Sequence, residues 1–304
     1  MIKLANNWLS VETDAIGASL RQIHGVRTGI DYLPAKPLTP AFPYVDKLNI
    51  RNPHLRGYVA DNPVGGLMAG EEFDVVESTP HSVTYRLDSH KELHDKFPHP
   101  FRLEVSYKLR AYHVNVSYKI INTGLERLPF EIGCNWWFKF PPAYWLIAPK
   151  FWLNLKMLSP IAVLPVNDDG YAFKRRASVH LINGRIEVSS EQTSKADYYF
   201  GSNGVKQISV IDSMGRAYLS VASLCPYYHF AVNLRDGVDY MRLQPQWGIG
   251  DSIDTDEFFR ERPNARTVLP GRSMTFDNVL TLNAESTYFS GRPGSRRKGT
   301  PRGF

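Results

Sequence analysis

The sequence predicts an all-β protein, a sandwich of short strands, on three observations. Apolar and polar residues alternate with period two along much of the chain, and helical periodicity is scarce. Aromatic residues make up 12% of the 304 positions (16 Phe, 16 Tyr and 6 Trp), a load that suits pleated surfaces on which flat rings pack. Gly, Pro and Asn punctuate the apolar runs at close spacing, as turns between short strands require. No fixed-period repeat and no internal linker divides the chain. Residues 1–288 are therefore expected to form one β-sandwich domain, followed by a basic, disordered tail at 289–304.

The elements follow in order. Residues 73–77 (FDVVE) and 82–87 (SVTYRL) read as two strands joined by the turn-prone STPH. A longer pair is expected at 101–109 (FRLEVSYKL) and 112–121 (YHVNVSYKII). In the second of these, Val114, Val116 and Tyr118 share one face, while Asn115, Ser117 and Lys119 share the other. Asn122-Thr-Gly closes it with turn chemistry. Further strands are expected at 207–212, 216–222, 228–234, 239–244 and 273–282.

Charge looks at first like a pointer to nucleic acid, with 36 Lys+Arg against 30 Asp+Glu and a formal net charge of +6. Five of those bases, Arg292, Arg296, Arg297, Lys298 and Arg302, lie in the acid-free end GRPGSRRKGTPRGF. Without them the balance is 31 to 30, so the body is electrically ordinary. A tail of this composition can touch phosphates non-specifically, and the basicity implies nothing more about nucleic acid. Two cysteines, Cys134 and Cys225, argue against a disulfide scaffold and fit a reducing compartment. The start MIKLANNWLSVETD has no apolar run of the length a secretion signal needs. The most apolar region, from Phe140 to Pro165, is cut by Pro142, Pro149, Lys150, Lys156 and Pro160, which excludes a spanning helix there. A cytoplasmic protein without membrane contact is expected. No phosphate-binding loop, dinucleotide fingerprint or serine-nucleophile motif occurs, and the histidines lack metal-ligand spacing, so no cofactor and no metal is expected.

Several segments, taken in order, resemble the aldose 1-epimerase (galactose mutarotase-like) superfamily. Gly17 to Leu33 (GASLRQIHGVRTGIDYL) looks like that family's opening hairpin, ending in Asp31-Tyr32-Leu33. Ala41 to Leu48 (AFPYVDKL) resembles its Phe-Pro-x-x-Gly segment, with Asp46 where glycine is usual. Phe97 to Leu109 matches a Tyr-Pro-Phe-x-Phe strand, and Leu128 to Phe138 (LPFEIGCNWWF) matches a Pro-Phe-x-x-Gly-x-His-Pro-x-Phe stretch. Gln244 to Asp251 (QPQWGIGD) and Thr267 to Phe276 resemble the closing Glu-Pro-Trp-x-Gly segment and its Leu-x-Pro-Gly strand. The resemblance implies a β-supersandwich fold and a cyclic sugar as ligand.

It also implies an acid/base pair: a carboxylate takes the anomeric proton while a histidine protonates the ring oxygen. Here the glutamate seat is Gln244 and the histidine seat is Asn135, followed by Trp136 where proline is usual. An upstream His-Gly-Phe-Ala-Arg segment aligns with Gly65-Gly66-Leu67-Met68-Ala69, so its histidine and arginine are missing as well. Amides hydrogen-bond a sugar hydroxyl but cannot take its proton. The expected site is thus a neutral aromatic cleft for a sugar or similar cyclic small molecule, built from Asn135, Trp136, Trp137, Gln244, Gln246 and Trp247. One alternative is an active isomerase whose acid and base are relocated, with Asp251, His229 and Asp46 as catalytic candidates. Another is an interaction protein whose tail anchors an anionic partner.

Overall fold

The computed structural model describes residues 1–49, 51–55, 65–142, 150–155, 161–167, 169–189, 196–200, 205–212, 215–225, 229–234, 240–262 and 265–282. The expected tail at 289–304 lies outside the described residues. The chain opens with a three-stranded antiparallel sheet, β1 (Ile2–Ala5), β2 (Leu9–Asp14) and β3 (Ser19–Gly25), and continues into the short β4 (Thr39–Ala41). Next come β5 (Asp74–Thr79), β6 (Ser82–Asp88), β7 (Phe101–Arg110) and β8 (His113–Asn122). The middle of the chain supplies β9 (Leu128–Phe130), β10 (Ile132–Asn135), β11 (Trp137–Lys139), β12 (Lys150–Asn154), β13 (Ile161–Pro165), β14 (Ala177–Val179) and β15 (Arg185–Ser189). Then follow β16 (Ala196–Phe200), β17 (Gln207–Ile211), β18 (Ala217–Ser223), β19 (His229–Leu234), β20 (Tyr240–Trp247), β21 (Arg266–Val268) and β22 (Ser273–Leu282).

Two large sheets carry the molecule. One runs β15-β12-β17-β18-β22-β8-β7-β6-β5. The other runs β14-β13-β16-β19-β20-β10-β4, with β11 also paired to β20. The nine-stranded sheet is where sequence alternation is cleanest. β7 and β8 pair over their full length, from Phe101 opposite Asn122 to Arg110 opposite His113. Val114, Val116, Tyr118 and Ile120 all point inward and are buried, and each such side chain contributes roughly 1.5–3 kcal/mol by leaving water. The sheets meet through rings: Trp247 of the second sheet packs on Phe276 of the first, with centroids 4.5 Å apart. Phe130 reaches Phe276 from a third direction at 5.9 Å. The result is the all-β sandwich that the alternation predicts.

Strands expected at 101–109, 112–121, 216–222 and 273–282 form at 101–110, 113–122, 217–223 and 273–282. One boundary differs instructively. The strand expected to end at Gln244 runs on through Pro245 to Trp247. Proline removes a ladder donor and ordinarily marks a strand's limit. Here Phe230 lies opposite Pro245 on one side, and the pairing with β10 resumes at Gln246 and Trp247. The strand that carries the candidate site is thereby three residues longer than expected. Among the described residues no helix is long and apolar enough to cross a membrane.

Candidate functional site

β20 presents two chemically different faces because successive side chains alternate across a strand. Met241, Leu243, Pro245 and Trp247 face the core, and Arg242, Gln244 and Gln246 face the other way. Pairing then decides what joins them. Gly133 lies opposite Gln246, and Trp137 lies opposite Arg242. The register is the same in both stretches, which sets Asn135 across from Gln244. On the far side of β20, His229, Ala231 and Asn233 stand opposite Gln246, Gln244 and Arg242, and Tyr199 of β16 stands opposite Ala231. Asn135 and Gln244, the two amides singled out from the sequence, are therefore neighbours across one strand pair. Gly133 makes room for the row: a Cβ there would sit 2.7 Å from the Cβ of Gln246.

The amides are wired into a continuous chain of hydrogen bonds. Arg242 Nε donates to Gln244 Oε1 at 2.6 Å, Gln244 Nε2 donates to Gln246 Oε1 at 2.6 Å, and Gln246 Nε2 donates to the Gly248 carbonyl at 3.0 Å. Arg242 is anchored in turn by Asp46, its Nη2 lying 2.9 Å from both carboxylate oxygens. Tyr199 donates its hydroxyl to Asp46 Oδ2 at 2.7 Å. Burial, with the Asp46 charge beside it, pushes the Tyr199 phenol well above its ordinary range, so it remains a donor. Across from Arg242, the indole nitrogen of Trp137 donates to Asn135 Oδ1 at 3.0 Å. The Trp137 ring has Tyr240 edge-on at 5.4 Å and the Lys36 ammonium at 4.8 Å.

A second buried cluster lies behind the turn that follows β20. Arg262 bridges Glu131, whose Oε1 accepts from its Nε at 3.0 Å, and Asp251, which accepts from its Nη1. Asp251 Oδ2 also accepts the Asn49 backbone N–H at 2.7 Å. Burial pushes the Glu131 carboxyl up to about 7; Arg262 opposes that rise and Asp251 adds to it. Burial likewise raises Asp251. Burial works against the Arg262 charge, but the two carboxylates more than hold it on.

The expected site residues thus separate into three groups. Asn135, Trp137, Gln244 and Gln246 come together on one face. Trp136 and Trp247 do not join them: at 2% and 0% exposure they are core side chains on the opposite face, Trp136 beside Phe138 at 6.2 Å and Trp247 against Phe276. Adjacent tryptophans on a strand cannot both line one cleft, and the pleat assigns Trp137 to the amides. Of the carboxylates, Asp46 lies directly beneath the amide row, and Asp251 belongs to the Arg262 cluster. A cleft of about 410 Å³ opens beside Asp251 and Gly250, rimmed by Leu164, Thr255, Lys174 and Arg176. His229 is placed by its backbone alone; its side chain lies outside what the structure describes. Cys134 faces the core, and burial pushes its thiol far up. Arg242, Tyr199, Glu131 and Arg262 were not singled out from the sequence. Two signals could have found the arginines: Arg242 stands two positions before Gln244 and so on the same face of the strand, and Arg262 lies shortly after an acid-rich segment. Among the described residues no group of three His, Cys, Asp or Glu could hold a metal ion.

Two large β-sheets pack together, with the polar row on β20 of one. Comparison with solved structures shows which fold this resembles. A galactose mutarotase related enzyme from Lactobacillus acidophilus superposes with a TM-score of 0.79 at 17% identity, covering 92% of this chain and 96% of that one. A galactose mutarotase-like protein from Lactobacillus casei gives 0.79 at 16% identity, with 93% and 99% covered. An aldose epimerase homologue from C. elegans gives 0.63 at 12% identity, with 92% and 97% covered. At these identities the likeness is one of fold. In sequence, residues 48–179 match the family model described as aldose 1-epimerase. The chain is thus aldose 1-epimerase-like in sequence over that segment and galactose mutarotase-like in fold. A search of curated proteins returned no match.

Proposed function

We propose that this chain binds a sugar or similar cyclic small molecule on the polar face of β20, without the acid/base chemistry of a mutarotase. The observation that carries the reading is the juxtaposition of Asn135 and Gln244. Neighbours across one strand pair, they occupy the positions where the family resemblance sets a histidine and a glutamate, and neither amide can exchange a proton near neutral pH. Trp137, half-buried and hydrogen-bonded to Asn135, supplies the ring against which the C–H face of a sugar stacks. Gln244 and Gln246 form the floor, 1% and 0% exposed. Polarimetry of freshly dissolved α-glucose and α-galactose tests the reading: interconversion at the buffer rate is expected, and turnover well above it overturns the proposal.

A second reading keeps an active isomerase with relocated groups. The backbone register favours His229 over the other candidates, because it stands opposite Gln246 on the same row. Asp46 is the carboxylate nearest that row, and Asp251 is engaged by Arg262 and Asn49. If polarimetry finds turnover, His229→Ala and Asp46→Asn are expected to abolish it under this reading, and Asp251→Asn to matter chiefly for stability.

A further inference from the structure

Away from the amide row, one histidine stands between two carboxylates. His90 Nε2 lies 2.8 Å from Glu71 Oε2, and His90 Nδ1 lies 2.8 Å from Glu92 Oε2. An ionised carboxylate has no hydrogen to give, so each of these bonds takes its hydrogen from the ring. A neutral imidazole carries one N–H and the imidazolium carries two, so the arrangement is that of the charged ring. The bond to Glu71, and after it the bond to Glu92, raises the pKa of His90 above the ordinary 6.5.

The three side chains come from two separate parts of the chain. Glu71 caps the short 3-10 turn Met68–Gly70, its backbone N–H bonded to the Met68 carbonyl. That turn follows Gly65, where an added Cβ would come 3.0 Å from Asn135 Nδ2, so it stands beside the proposed ligand face. His90 and Glu92 belong to the start of α1 (Lys91–His94), in the connection between β6 and β7. α1 has four residues, too few to hold a helix by its own hydrogen bonds, and the His90 side chain makes no capping bond. Burial of Leu93 and Phe97 holds this connection from beneath, and the His90 ring fastens it sideways to Glu71. Neighbouring charges are engaged elsewhere or face water: Asp88 pairs with Arg102, His94 Nε2 meets Ser89 Oγ, and Lys91 and Glu72 are exposed.

We infer that His90 is a proton-operated clamp, which fastens the β6–β7 connection to the turn beside Asn135 while its ring is charged. On losing its proton the ring keeps a single N–H for two carboxylates. Glu92, with 79% of its side chain exposed, then turns to water, whereas Glu71, at 22%, has less room to do so. The bond that survives to Glu71 has lost its charge assistance and is weaker for it. Because the folded pKa is raised, the clamp is at full strength below about pH 6.5 and weakens as the pH rises through the folded value. The clamp stands on this geometry and does not depend on what the β20 face binds.

Two measurements on the full chain test it. In a long-range proton–nitrogen NMR titration, His90 is expected to titrate above 6.5, and Glu71→Gln to bring its midpoint down toward that ordinary value. Hydrogen exchange read by mass spectrometry, corrected for the intrinsic rate at each pH, follows the clamp itself. Peptides covering 66–71 and 90–97 are expected to lose protection by about 2- to 5-fold between pH 5.5 and pH 8.5, with peptides of β7 and β8 as the reference for any global change. His90→Gln keeps a donor but cannot titrate, and is expected to show no such step relative to that reference. Should His90→Gln fail to fold by circular dichroism, Glu71→Gln, which removes the partner and keeps the histidine, carries the same comparison. A His90 midpoint at or below 6.5 overturns the clamp. So does an exchange profile without the step in the wild type, or one with the same step in the folded variant.

Discussion

Two buried arginines, twenty residues apart in sequence, solve the same problem in opposite ways. Arg262 sits between two carboxylates, Glu131 and Asp251, and the cluster carries one more potential negative charge than positive. Among the described residues Arg242 meets the carboxylate of Asp46, and its Nε donates to the neutral amide of Gln244, which in turn donates to Gln246. Burial pushes Glu131 up to about 7 even with Arg262 beside it, and the second carboxylate, Asp251, adds to the rise. Beside Arg242, among the described residues, the chain continues into amides rather than a second carboxylate. The paired carboxylates around one arginine thus stand behind the β20 turn, and the amides stand on the face proposed to meet ligand.

The contrast is broken most severely by removing Arg262. Arg262→Met strands two carboxylates in the interior and is expected to cost about 3–5 kcal/mol in urea unfolding. A loss below about 1 kcal/mol would mean that the cluster is not closed to water. Next in size is a pH effect. Glu131 has its folded pKa raised from the ordinary 4.5 to about 7, so the native state holds this proton more tightly than the unfolded chain. Its contribution is therefore present in full below about pH 4.5 and is lost as the pH rises through about 7, by roughly 3 kcal/mol. Comparing unfolding free energies of the wild type and Glu131→Gln at several pH values isolates this, because the variant is expected to show a flatter profile over that window. A smaller effect belongs to the other cluster. Asp46→Asn removes the Asp46 charge from beside Arg242, which is 8% exposed, and about 2 kcal/mol is expected in the same assay. Smallest is Gln244→Leu, which removes the two hydrogen bonds that Gln244 makes in the amide chain but keeps the Arg242–Asp46 pair. About 1 kcal/mol is expected, unchanged between pH 5 and pH 8, since no ionisable group is lost.

The sandwich was legible because alternation is a local property. β8 and β22 show it residue by residue, and their limits were readable to within a position. The short strands β9 to β16 were not, since three to five residues give the period little room to repeat. The candidate site divides along the same line. The order of segments singled out Gln244 and Asn135 together, and the structure sets them side by side across one strand pair. That Trp137 lines the amides while Trp136 and Trp247 fill the core follows from the pleat, once the strand's inward face is known. What sequence could not supply is partnership at a distance. Asp46 and Arg242 are 196 residues apart, and Glu131 and Arg262 are 131 apart. Nothing in either neighbourhood says which strand will lie alongside, and a carboxylate read alone passes for a candidate base when its charge is already matched by an arginine.

The Gly65–Gly66 turn, aligned with the family's missing histidine segment, bears on the history of the site. Gly65 has φ of +92°, a backbone state that a histidine adopts only at a cost, and a Cβ there would come 3.0 Å from Asn135 Nδ2. A lineage that restored a carboxylate at 244 would still lack the imidazole, and it could not recover one at 65 by a single codon change without first rerouting the loop. Under the proposed reading, the absence of an imidazole here is thus held in place by the main chain as well as by the side chains, and evolutionary return would have to begin with the turn.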